Sequence, residues 1–126
     1  MNINAHTELY CLLGKPARHS LSPAMQNAAF QRKEINAVYL AFEPESLESA
    51  IHAMRTLPVR GASVTIPYKT DVMGFLDHID PLANQIGSVN TLVFDSGKIT
   101  GYNTDGYGAL RALSEKVPDI TRRRIM

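Results

Sequence analysis

Short apolar runs that suit strands alternate with helical stretches along nearly the whole chain, and this rhythm constrains the fold more than any single residue does. Glu8 to Leu13 is an almost continuous apolar run closed by Gly14, as expected of a strand buried on both faces. A helix is predicted from Pro23 to about Lys33, with Met25, Ala28 and Ala29 inward and Ser22 as its N-cap. Ala37 to Phe42 is rich in strand formers. Pro44 then opens an amphipathic helix in which Leu47, Ala50, Ile51 and Met54 share a face, and Pro58 lies past its end. A third strand runs from about Arg60 to Ile66 and stops at Pro67, which suits the first turn of a helix carrying Val72, Phe75 and Leu76 inward. Asp80-Pro81 begins a short helical turn that Gly87 terminates. Ser88 to Phe94 and Lys98 to Tyr102, joined at Asp95-Ser96-Gly97, form an antiparallel hairpin, and a last helix runs through Ala109, Leu110 and Leu113 to Pro118. The expected class is therefore α/β: a three-layer α/β/α sandwich whose mixed sheet is mainly parallel, with one antiparallel hairpin strand.

A chain of 126 residues can bury one sizeable core without staples. Its only cysteine, Cys11, excludes an internal disulfide and leaves no Cys/His zinc spacing, which fits a reducing compartment. Met1 to Gly14 has no basic leader and only a short apolar run, so the expectation is a cytoplasmic protein without a signal peptide or membrane span. A net charge of +1, with its only basic run at Arg122 to Arg124, gives no nucleic-acid footprint. His52 has no second ligand-type residue a helical turn away, so it reads as a surface residue, and no metal constellation is present. No nucleophile-elbow pattern supports a hydrolase. Gly106 and Gly108 lack the third glycine of a dinucleotide fingerprint, Arg111 standing in its place.

The segment Gly61-Ala-Ser-Val-Thr-Ile-Pro-Tyr-Lys69 concentrates the chemistry. Alternation puts Ser63 and Thr65 on one face of a strand, Val64 and Ile66 on the other, and Lys69 just past the strand's carboxyl end. That is where open α/β folds bind ligands. Ser20 and Ser22 stand at the start of a predicted helix, where two hydroxyls and free N–H groups suit a carboxylate or phosphate, although Ser22 could equally be an ordinary cap. Asn90 is out of place in a strand; its amide either stitches the local backbone or holds a ligand. Asp105 lies at a helix start and could likewise be a cap.

Taken together, His19-Ser-Leu-Ser-Pro23, Ser63-Val-Thr-Ile-Pro-Tyr-Lys69, Gly87-Ser-Val-Asn-Thr91 and Gly101-Tyr-Asn-Thr-Asp-Gly106 resemble the shikimate dehydrogenase family, over nearly all of residues 7 to 115. The resemblance implies the substrate-binding, catalytic domain of that family over residues 1–117. Residues 118–126 would then be the linker and first residues of an NADP-binding Rossmann domain. Three arginines leading into Ile125-Met126 have the look of an approach to a further strand. By motif, Ser20 and Ser22 would bind the carboxylate of shikimate, and Thr65, Lys69, Asn90 and Asp105 its ring hydroxyls. Lys69 and Asp105 would be the catalytic pair in reversible reduction of 3-dehydroshikimate with NADPH. Ser63 departs from the asparagine usual in the family. A quinate/shikimate dehydrogenase and a stand-alone ligand-binding module without redox activity are the competing readings. Many members of the family dimerise through this domain, which makes a homodimer possible, while charge and hydropathy point to no nucleic-acid or membrane partner.

Overall fold

The computed structural model describes residues 3–117 and 120. Its strands are β1 (Glu8–Leu13), β2 (Ala37–Phe42), β3 (Val59–Val64), β4 (His78–Ile79), β5 (Thr91–Asp95) and β6 (Lys98–Tyr102). Its helices are α1 (Ser22–Arg32), α2 (Leu47–Thr56), α3 (Pro81–Ile86) and α4 (Asp105–Lys116), with a 3-10 turn at Asp71–Phe75. The sheet order is β2-β1-β3-β5-β6-β4. β1 runs parallel to β2 and β3, β4 parallel to β6, and β5 lies antiparallel between β3 and β6. One antiparallel strand in an otherwise parallel sheet is the arrangement the hairpin predicts, since Ser96 and Gly97 turn the chain with φ of 51° and 79°. The two-residue strand β4 carried no sequence signal, because a pair of residues has no periodicity to read.

Helices lie on both faces. The larger core sits between the sheet and α2, the 3-10 turn and α3, where Leu13, Leu92 and Ile99 meet Leu47, Ile51, Met54 and Val72. The smaller core joins Leu12, Ala17 and Tyr39 to Tyr10 and Phe30 under α1. Burial pushes the Cys11 thiol up to about 12, so it is an inert packing group. Among the described residues no helix covers the α1 face beyond β1, and Val93 and Tyr102 there are exposed. Every residue of α4 is exposed as well.

Several local expectations are corrected. The face of α1 turned to the sheet holds Gln26, Asn27 and Phe30, whereas Met25, Ala28 and Ala29 are exposed. Helical periodicity alone left the phase open, and one polar side chain settles it. Asn27 Nδ2 donates to the carbonyl of Tyr39 at 2.8 Å, while its Oδ1 accepts from the Tyr39 N–H at 2.8 Å, completing the unpaired edge of β2. Asn27→Ala would orphan both backbone groups and is expected to cost about 1–3 kcal/mol in urea unfolding. A loss near zero would show that solvent replaces the amide without penalty.

α2 starts at Leu47 because Ser46 caps it, accepting from Ser49 N–H at 3.2 Å, so Pro44 lies upstream of the helix. The α-helix expected after Pro67 is a turn followed by the 3-10 segment. The carbonyl of Lys69, which an α-helix would need, accepts instead from Val89 N–H at 2.8 Å. Val72 is nonetheless fully buried, with Phe75 and Leu76 packed against the core. β3 spans Val59–Val64, and β5 begins at Thr91, since Ser88 and Val89 donate to Ala83 and Lys69 rather than to a strand. His52 is exposed. The arginine run and the approach to a further strand fall outside the described residues, apart from Ile120.

Candidate functional site

Parallel strands β1, β3 and β6 end at one edge of the sheet, and antiparallel β5 starts at that same edge. Four connections converge there: Gly14 to Leu21 after β1, Thr65 to Thr70 after β3, Ser88 to Asn90 before β5, and Asn103 to Thr104 after β6. They enclose a cavity of about 440 Å³. Ser20, Ser22, Thr65, Lys69, Asn90 and Asp105 all line it, as do Ser63, His19, Thr91 and Thr104. Apart from the two serines, no two of these six lie within three positions of one another, so strand order does the assembling.

The β1 connection is tightly seated. Lys15 N–H donates to the carbonyl of Ile66 at 2.9 Å, and a side chain at Gly14 would collide with the Thr65 methyl. The expectation that Ser22 caps α1 is overturned. Ser22 is the first helical residue, and the position before it, Leu21, makes no side-chain cap. Ser20 Oγ accepts from Ser22 N–H at 3.1 Å and donates to Ser22 Oγ at 3.1 Å. Two adjacent hydroxyls therefore face the cavity above the positive end of an eleven-residue helix.

On the opposite wall, Lys69 Nζ donates to Asp105 Oδ2 at 2.5 Å, across 36 residues of chain. Asp105 is not a cap either: Asn103 Oδ1 takes that role, accepting from Asp105 N–H at 3.0 Å and Gly106 N–H at 3.3 Å. The carboxylate is thereby left free to meet the lysine. Asn90 ties the pair to the sheet, its Nδ2 donating to Asp105 Oδ1 and to Thr104 Oγ1 at 2.8 Å each. Its Oδ1 accepts from Thr91 Oγ1 at 2.8 Å and Thr104 N–H at 3.0 Å, so the amide is used on both sides. The Lys69 hydrogen bond, and after it that of Asn90, holds the Asp105 carboxyl below the usual aspartate range against the opposing effect of burial. Lys69 keeps about a third of its side chain exposed.

Thr104, Thr91 and Asn103 are site residues that sequence reasoning did not single out. All three lie within the family-like motifs, but only the fold shows that Thr91 and Thr104 brace Asn90 and that Asn103 takes the first N–H groups of α4.

The cavity offers a hydroxyl pair at a helix start on one side and an ammonium–carboxylate pair on the other. It suits a small, hydroxylated, anionic molecule held between the two. A nicotinamide cofactor does not fit the described residues in the same way. The start of α4 beside Gly106 and Gly108 is already filled by Asn103, leaving no N–H cradle for a pyrophosphate. Among these residues no cluster of His, Cys, Asp and Glu suits a metal ion, and no helix is long and apolar enough to cross a membrane.

The fold and cavity together define a substrate-binding domain of the open α/β kind, with its site outside the carboxyl ends of parallel strands. The family model of the shikimate dehydrogenase substrate binding domain matches residues 12–92, and the chain belongs to that family. It is 52% identical over 122 residues to a Geobacillus protein named shikimate dehydrogenase (NADP(+)), covering 94% of this chain and 44% of that one. The crystal structure of shikimate dehydrogenase from Aquifex aeolicus superposes with a TM-score of 0.90 at 45% identity, over 94% of this chain and 46% of that one. A shikimate 5-dehydrogenase from Listeria monocytogenes, solved in complex with shikimate and NAD, superposes with a TM-score of 0.87 at 44% identity, over 92% and 41%. The chain thus spans less than half the length of these relatives.

Proposed function

We propose that this chain is the substrate-binding domain of an NADP-dependent shikimate dehydrogenase, an oxidoreductase of the shikimate pathway leading to chorismate and the aromatic amino acids. The observation that carries this reading is the Lys69–Asp105 pair facing a hydroxyl-lined anion site across one small cavity. Ser20 and Ser22 hold the substrate carboxylate, while Thr65, Lys69, Asn90 and Asp105 meet the ring hydroxyls. NADPH, for which the described residues offer no site, would supply the hydride when bound to the longer protein. Lys69 Nζ gives a proton to the carbonyl oxygen of 3-dehydroshikimate as its charge develops, and takes one back from the hydroxyl in the reverse direction. Asp105 keeps the amine aimed and accepts from a ring hydroxyl. The same reading puts the protein in the cytoplasm.

Calorimetric titration of the 126-residue chain with shikimate and with quinate tests this. Saturable shikimate binding is expected, weakened at least tenfold in Lys69→Ala and in Ser22→Ala. Tighter binding of quinate would favour the quinate/shikimate branch. No binding of either ligand to the wild-type chain would count against a pocket formed by this domain.

A further inference from the structure

The substrate carboxylate site depends on the loop that precedes Ser20, and that loop is fastened from a distance by a single side chain. Glu43, just past the end of β2, accepts from the N–H of Ala17 at 2.6 Å and of Arg18 at 2.8 Å, both on Oε1. These bonds reach across 26 and 25 residues. Arg18 Nε lies 3.6 Å from the other carboxylate oxygen, and the Glu43 side chain is only 23% exposed. The two backbone N–H groups, with Arg18 and Lys15 adding positive charge, hold its carboxyl below the ordinary glutamate range. Ala17 is almost fully buried and lines the cavity, and its carbonyl accepts from Ser20 N–H at 3.0 Å. Glu43 is therefore connected to the first anion-facing hydroxyl through one residue.

We infer that Glu43 is a positioning residue for the substrate carboxylate: by clasping Ala17 and Arg18 it fixes the loop so that the Ser20 and Ser22 hydroxyls point together into the cavity. This deepens, and rests on, the assignment of those serines to the carboxylate of shikimate. The other backbone anchors of the loop, Gly14 and Lys15, bind its first two residues, so beyond them the loop is held by Glu43 and by the packing of Ala17 beside Leu12 and Tyr39. Two hydroxyls that must act on one carboxylate tolerate little displacement, because hydrogen bonds weaken steeply with angle. Glu43 itself is absent from the cavity lining, so its effect is indirect.

Three substitutions separate reach from charge. Glu43→Gln keeps an acceptor of the same length, Glu43→Asp keeps the charge but falls short by one methylene, and Glu43→Ala removes both. Affinities for shikimate and for the same ring triol lacking the carboxylate are measured on the 126-residue chain by NMR titration, together with exchange of the Ala17 and Arg18 amides. Expected are shikimate binding within threefold of wild type for Glu43→Gln, a loss of about tenfold for Glu43→Asp and Glu43→Ala, and faster exchange of both amides in those two. Affinity for the triol should be the same in all four proteins. A general loss of structure would weaken both ligands equally and would overturn the inference, as would wild-type shikimate affinity in Glu43→Asp. Should Glu43→Ala fail to fold, Glu43→Asp decides. Failure of the wild-type chain to bind shikimate would instead overturn the proposed function, and this inference with it.

Discussion

Lys69→Ala, carried within a dehydrogenase of its relatives' length, is expected to lower shikimate oxidation by about a hundred- to ten-thousand-fold in kcat. In the proposed reading the Lys69 amine carries the proton, and its bond to Asp105 at 2.5 Å would hold it in place for the transfer. Removing it also strips Asp105 of its nearest cation and leaves the Asn90 amide as the carboxylate's remaining partner. Steady-state kinetics with shikimate and NADP+ make the check, and near-normal turnover in the variant would sink the assignment of Lys69 as acid and base. Lys69→Arg separates charge from proton transfer: it keeps a cation for Asp105 but cannot lose a proton near neutral pH, so it should bind substrate and still turn over slowly.

Leu13→Ala is expected to remove about 2–5 kcal/mol of stability, a large share of the roughly 5–15 kcal/mol a domain of this kind possesses. Leu13 is fully buried on β1, next to the middle of the sheet, opposite Phe42 on one side and Val64 on the other. It belongs to the larger core, where truncation leaves a cavity that the surrounding strands cannot easily close. Its carbonyl also accepts from Thr65 N–H at 2.8 Å, so collapse around the cavity would shift a residue of the site. Urea unfolding should show a lower midpoint with an unchanged slope, whereas a wild-type midpoint would mean that the site relaxes without penalty.

Much of the strand framework was legible because a strand's own composition and boundaries specify it. Glu8–Leu13, Ala37–Phe42 and Lys98–Tyr102 have the extents expected, and Asp80 and Gly87 bound α3 as turn chemistry dictates. Departures occur where a backbone group found a partner far away in sequence. Val89 takes the Lys69 carbonyl and turns an expected α-helix into a 3-10 segment, and Asn27 rotates α1 by claiming the edge of β2. Both serine and aspartate candidates were also readable as helix caps. The structure removes that alternative for Ser22 and Asp105, whose own N–H groups are taken by the side chains two residues earlier, Ser20 at α1 and Asn103 at α4.

By itself the sequence determined the alternating strands and helices, the mixed sheet with its one reversed strand, and a set of motifs whose residue types suit an anionic, hydroxylated ligand. Those features rest on local periodicity and turn chemistry, which act over a few residues. Only the tertiary structure decided that Lys69 meets Asp105, that Asn90 braces them, and that Glu43 clasps the serine loop. Each of those contacts joins segments that strand order alone brings together, and a hydrogen bond across the end of a sheet leaves no period in the chain.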